Sequence, residues 1–188
     1  MDNIIFLDID GVLNCENAFK AKLCPYVQWG DKDKHEYHMS FYPPAKKLLN
    51  KLIKETNARI VISSTWRLSG IERMRKIWQV EEMQGEIIDI TPSMYWKPNI
   101  NIPRGMEIDY WLKQKGFRHI NWSDKEQLKY MQKSNIQNYI IIDDDSDMLY
   151  NQKDNFIHVK PSPRNKDGFN ETHYYKSLDT LNKTLLTI

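Results

Sequence analysis

Apolar residues come in short blocks along this chain, and the spacing inside each block predicts its structure. Asn3–Leu7 is rich in isoleucine with no polar alternation, the pattern of a strand buried on both faces. Arg59–Ile62 and Tyr139–Ile142 repeat that pattern, and Glu86–Ile90 and Phe156–Val159 predict two more strands. After Pro43-Pro44, a favourable helix start, Ala45, Leu48, Leu49, Leu52 and Ile53 recur at helical spacing. Lys46, Lys47, Lys51 and Lys54 are expected to form one solvated face of that helix. Further helices are predicted over Ile71–Met83, over Met106–Lys115 closed by Gly116, and over Leu178–Leu186. Ser123-Asp124-Lys125-Glu126 is a capping box for another, running to Ser134. Asn14–Ser40 has no helical period and carries Pro25, Gly30 and a run of alternating charges, so a flap or long loop is expected. Pro92–Pro103 reads as irregular and aromatic. Strands alternating with helices predict an α/β fold around a central, mostly parallel sheet.

Composition narrows the class. The 188 residues are enough for one domain, taken as 1–188, with a sizeable core. At 40% apolar and 28% charged residues the chain is not a disordered one. Its clean apolar stretches, Ile4–Leu7 and Tyr139–Ile142, fall far short of the ~20 residues of a membrane helix. A net charge of +2 is too balanced to announce nucleic acid by electrostatics alone. Cys15 and Cys24 fit neither a zinc spacing nor a disulfide framework, and no secretory leader is visible. A reducing, cytoplasmic setting with no membrane partner is therefore expected. His35, His38, His119, His158 and His173 form no catalytic spacing and are expected to be structural or exposed. Trp66 and Trp111 are expected in the core.

The chemistry concentrates where strands end. Three predicted strands run into polar clusters: Asp8 and Asp10, Ser63 and Ser64, Asp143 and Asp144. Ligand sites of open α/β sheets lie off the carboxyl ends of strands, so these distant residues should meet at one edge. Carboxylates brought together repel, and an oxygen-only donor set points to a hard cation, Mg²⁺ above all. Mg²⁺ shares its shell with phosphate, which makes a phosphoryl group the natural substrate. Asp8 and Asp10, two apart in extended chain, point the same way. One can attack as nucleophile while the other gives and takes protons. Gly11 allows a turn that brings backbone N–H groups near an anion. Ser63 or Ser64 could offer a hydroxyl to phosphate, Arg67 a bidentate fork, and Arg104 a fixed positive charge.

Asp8-Ile9-Asp10-Gly11-Val12-Leu13 after an apolar strand resembles the first motif of the haloacid dehalogenase (HAD) superfamily. Ser63-Ser64 resembles the second, Arg104 at a helix start the third, and Ile142-Asp143-Asp144 the fourth, in that order from Asn3 to Val159. Ser63-Ser64-Thr65-Trp66-Arg67, and Arg104-Gly105-Met106-Glu107-Ile108 with Trp111-Leu112, are similar to small HAD domains of RNA repair. The phosphatase half of polynucleotide kinase-phosphatase is a related case. The resemblance implies a three-layer Rossmann-like fold with a minimal cap at 14–40 and a Mg²⁺-dependent phosphatase. Asp8 would form an aspartyl-phosphate and Asp10 would act as acid, then base. Asp8, the Asp10 carbonyl and Asp143 or Asp144 would hold Mg²⁺. Ser63 or Ser64 would bind the phosphoryl group, and Arg104 would steady Asp8. Lys97 competes with Arg104 for the third motif, and Asp144, Asp145 and Asp147 compete for the second acidic role.

A cap this small leaves the site open, which suits a phosphorylated nucleic-acid end or a nucleotide. Tyr26 and Trp29 in the flap, with Tyr95 and Trp96, are candidates to stack on a base. A phosphatase of small metabolites or phosphoproteins, and a binding module for phosphorylated ends, are the alternatives.

Overall fold

A computed structural model of the chain describes residues 2–20, 22, 24–29, 36–97, 100–117, 134–160 and 166–183. Its centre is a five-stranded sheet built from β1 (Asp2–Leu7), β4 (Arg59–Ile62), β5 (Ile87–Ile90), β8 (Ile136–Asp143) and β9 (Phe156–His158). The spatial order is β5-β4-β1-β8-β9, and every pairing is parallel. Connections leave β1 first to one side and then to the other. The order therefore reverses between β1 and β8, and the crevice of such a sheet opens at the carboxyl ends of those two strands.

Strand residues alternate between two cores. Ile5 and Leu7, with Ile60, Ile62, Ile140 and Ile142, pack on α2 (Pro43–Thr56), α3 (Ile71–Val80) and α5 (Glu171–Asn182). Ile4 and Phe6, with Val61, Tyr139 and Ile141, pack on Ile108, Trp111 and Leu112 of α4 (Arg104–Gln114). Both faces are covered, which is why these strands read as unbroken apolar runs. Trp111 lies in the core as expected, its ring edge-on to Phe6 at 5.3 Å.

Several elements differ from the expectation. The segment 14–40 holds a short helix, α1 (Glu16–Lys20), and an antiparallel hairpin of β2 (Tyr26–Trp29) and β3 (Glu36–Met39). Its strands mix polar and apolar residues because the ribbon covers no large core. Side chains pin it instead. Buried His38 Nε2 lies 2.8 Å from Glu81 Oε1, and Arg73 Nη2 donates to the Tyr37 carbonyl at 3.1 Å. Lys46 leaves the expected solvated row to reach Glu81 at 3.1 Å. A second small hairpin, β6 (Tyr95–Lys97) and β7 (Ile100–Asn101), interrupts the stretch expected to be irregular. Helix α5 starts seven residues before Leu178 because Asn170 caps it, accepting from the N–H groups of Thr172 and His173. The helix expected from Ser123 lies outside the described residues. Among the described residues no helix is long and apolar enough to cross a membrane.

Candidate active site

Strand alternation places the acids. Asp8 continues the Ile4–Phe6 face beyond β1, and Asp143 continues the Tyr139–Ile141 face at the end of β8. Both therefore point to the side of the sheet covered by α4. Arg104, the first residue of α4, meets them there. Its Nη1 is 2.8 Å from Asp8 Oδ1 and 2.7 Å from Asp143 Oδ2. The helix start is itself held. Asp147 Oδ2 accepts from the Arg104 N–H at 2.8 Å, and Gln152 Nε2 donates to the Gly105 carbonyl at 2.8 Å. A Cβ at Gly105 would lie 2.6 Å from the Leu149 nitrogen, so the close approach that seats Arg104 requires glycine.

Asp144 completes the group. One carboxylate oxygen from each of Asp8, Asp143 and Asp144 lies within 4.8 Å of the others. Three carboxylates against one guanidinium leave two negative charges in excess when all are ionised. Burial pushes the Asp8 carboxyl above its ordinary range, against the pull of Arg104 and of a Ser64 hydroxyl hydrogen bond. Burial, then the Asp8 charge, pushes Asp143 up to about 7 and Asp144 up to about 6. Burial opposes the charge on Arg104, but Asp8 and Asp143 outweigh it and hold the guanidinium ionised. A closely spaced, all-oxygen donor set with this charge excess fits a hard divalent cation.

Asp10 stands apart from that cluster, exposed at the edge. Trp66 Nε1 donates to Asp10 Oδ2 at 2.9 Å, and Asn14 Nδ2 stands 3.5 Å from Oδ1. Trp66 is packed on the core through Phe41, yet its indole N–H orients the candidate acid. Residue type alone hides that role; the only sequence signal is its place three residues after the serine pair's start.

The residues expected to cradle phosphate divide. Ser64 is the serine that reaches Asp8. Ser63, by contrast, is fully buried and its hydroxyl meets no hydrogen-bond partner among the described residues. The N–H groups of both donate to the Leu7 carbonyl, at 3.0 and 3.3 Å, so the alternation of β4 ends between them. The Gly11 N–H is spent on the Asn14 carbonyl at 2.8 Å rather than turned to an anion. Gly11 serves the site differently. Its φ is +77°, and a Cβ there would lie 2.1 Å from Asp144 Oδ2. Arg67 also departs from the expected clamp. Its guanidinium is buried, donating to the Ser63 and Ser64 carbonyls at 2.6 and 2.9 Å and pairing with Glu107 at 2.5 Å. Arg67 thus fastens the serine turn to α4. Glu107 also accepts from the Met94 N–H at 2.9 Å.

Of the acidic run, Asp144 joins the cluster, Asp147 caps α4, and Asp145 is exposed. The backbone of Lys97 lies in β6 and that of Trp29 in β2, while their side chains, like those of Tyr95 and Trp96, lie outside the described residues. Tyr26 is described and exposed. His38, His158 and His173 make local contacts, His158 Nε2 lying 3.0 Å from the Asp144 carbonyl; His35 and His119 lie outside the described residues.

A family model described as "HAD domain in Swiss Army Knife RNA repair proteins" matches residues 4–173. A comparison with curated proteins finds no match.

Proposed function

Because the chain belongs to the family of HAD domains found in Swiss Army Knife RNA repair proteins, we propose that it is a Mg²⁺-dependent phosphomonoesterase acting on a phosphorylated nucleic-acid end or nucleotide. One observation carries the reading: Arg104 bridges Asp8 and Asp143 at 2.8 and 2.7 Å, with Asp144 in the same cluster. Three separate segments converge there, and no structural need of the sheet explains two buried acids with a half-buried third beside them.

Asp8, Asp143 and Asp144, with the Asp10 carbonyl, would hold Mg²⁺. The bound ion would offset the charge of the carboxylates and of the phosphoryl oxygens. The chain's own groups do the rest. An Asp8 carboxylate oxygen attacks phosphorus, and the bond from phosphorus to the ester oxygen breaks. Asp10, aimed by Trp66, gives its proton to that leaving oxygen. The Ser64 hydroxyl donates to the transferring phosphoryl group, and Arg104 favours the ionised form of Asp8 against its burial and holds it in line. Asp10, now a carboxylate, takes a proton from water. The water oxygen attacks phosphorus, the bond to Asp8 breaks, and inorganic phosphate leaves with both aspartates restored.

The test is phosphate release from 3′- and 5′-phosphorylated oligonucleotides, free nucleotides and sugar phosphates, with and without Mg²⁺. Release should require Mg²⁺, vanish in Asp8→Asn, and fall by about 10²–10⁴ in Asp10→Asn. Sugar phosphates cleaved faster than any nucleotide or strand end would refute the substrate class, and turnover surviving in Asp8→Asn would refute the mechanism.

A further inference from the structure

Asp10 forms part of the wall of a cavity of about 430 Å³, within the ~300–1,000 Å³ typical of small-molecule pockets. One side is the hairpin of the flap, with Tyr26, Tyr37 and Met39; the other is the turn after β4 and helix α3, with Thr65, Trp66 and Arg73. Two independent observations say what belongs there.

The first is the direction of the leaving group. A general acid must lie within hydrogen-bond reach of the oxygen it protonates, about 2.6–3.2 Å. The ester oxygen therefore sits against Asp10, and the rest of the leaving group continues from that point. The cavity starts there.

The second is the lining. Tyr26 and Tyr37 are 69% and 58% exposed, so neither ring is buried in a core. Tyr26 pairs with Met39, and Tyr37 lies two residues from Met39 on the same strand. The two tyrosines are thus diagonal neighbours on one face of the ribbon, with rings edge-to-face at 5.8 Å. The ribbon is a fixed platform, because His38 is anchored on Glu81 from its other face and Arg73 holds the Tyr37 carbonyl. Exposed aromatic faces held in place are what flat rings stack on. A flat ring a few bonds from a phosphate ester oxygen is the chemistry of a nucleoside.

We propose that this cavity holds the nucleoside that carries the phosphate, its sugar against Asp10 and Trp66 and its base on Tyr26 and Tyr37. The proposal rests on the phosphatase reading for the position of the leaving oxygen.

Binding tests it without turnover. The full chain carrying Asp8→Asn is titrated, by fluorescence anisotropy, with 3′- and 5′-phosphorylated oligonucleotides labelled at the far end. Each is compared with a twin whose phosphorylated nucleotide lacks its base, and mononucleotides compete against them. The base should tighten binding about 10- to 100-fold for at least one polarity, the size of one base–aromatic stack. Adding Tyr26→Ala or Tyr37→Ala should erase most of that advantage and leave the abasic twin unaffected; Tyr26→Phe and Tyr37→Phe should retain it. Effective competition by mononucleotides supports the same nucleoside subsite and identifies free nucleotides as ligands. Equal binding of base-bearing and abasic ends, or equal loss of both in the alanine variants, overturns the proposal. So does a phosphotyrosine peptide that binds more tightly than any nucleotide. The two readings fail separately. Base-dependent binding in a chain whose unsubstituted form releases no phosphate sinks the phosphatase alone, whereas Mg²⁺-dependent turnover without base dependence sinks the pocket alone.

Discussion

Replacing Glu107 by alanine leaves the Arg67 guanidinium in the interior without its counter-ion. The pair is close, 2.5 Å, and both side chains are under 10% exposed. Breaking one partner of a buried pair costs about 3–5 kcal/mol, because a charge stays behind unpaired. For a chain of this size each kcal/mol moves Tm by about 2–4 °C, so Glu107→Ala should lower Tm by about 6–20 °C. Arg67→Met strands the opposite charge and should cost a similar amount. The double variant Arg67→Met/Glu107→Ala strands neither. It still orphans the Ser63 and Ser64 carbonyls and the Met94 N–H, at about 1–3 kcal/mol for each group that water cannot reach. Its loss should nonetheless fall short of the sum of the two single losses by about 3 kcal/mol or more. Urea unfolding of the four proteins measures this coupling directly. Strict additivity, or a Glu107→Ala shift under about 2 °C, would refute the assignment of Arg67 as an internal strut and restore it as a candidate ligand for phosphate.

Three further outcomes are expected. In EDTA, Asp143 and Asp144, pushed up to about 7 and about 6, keep protons in the folded state that the unfolded chain has lost above about pH 4. Stability should therefore fall as pH rises from about 5 to 8, and Mg²⁺ should raise Tm more at pH 8 than at pH 5; a Tm in EDTA that climbs over this range contradicts the reading. Gly11→Ala strains a φ of +77° and drives a methyl group into Asp144; half-saturating Mg²⁺ in the phosphate-release assay should rise about 10- to 100-fold, and an unchanged value would exclude Asp144 from the metal site. Trp66→Phe keeps the packing on Phe41 but removes the N–H that Asp10 accepts. Its turnover should fall about tenfold more for an alkyl phosphate, which needs the acid, than for p-nitrophenyl phosphate; equal losses would make the indole a packing residue only.

The sheet was legible because both faces of each strand are buried, which turns strands into apolar runs with polar stops. The same fact exposed Asp8 and Asp143, since each stands where such a run ends. Elements held largely by polar side chains were hidden. The β2–β3 hairpin is fastened by His38, Glu81 and Arg73, residues that leave no periodic trace. Helix α5 buries Ser177 and Thr180 along with Tyr174 and Leu181, so its first turns carry no apolar stripe.

The turn after β4 shows most plainly why a site is harder to read than a fold. Over Thr65–Ser69 the backbone winds as a 3₁₀ turn, and successive side chains there point about 120° apart. Trp66 consequently goes outward to Asp10 and Arg67 inward to Glu107. Polarity alone assigns both the other way, the indole to the core and the guanidinium to a phosphate. One short turn thereby sets three things at once: the Ser64 side chain that reaches Asp8, the orientation of the candidate acid, and the attachment of the turn to the helix that carries Arg104. The serine turn is held to α4 through the Ser63 and Ser64 carbonyls that Arg67 bonds, and Asp10 is steadied by the Trp66 indole N–H; which way each group faces follows from the dihedral angles of the turn, which polarity alone does not reveal.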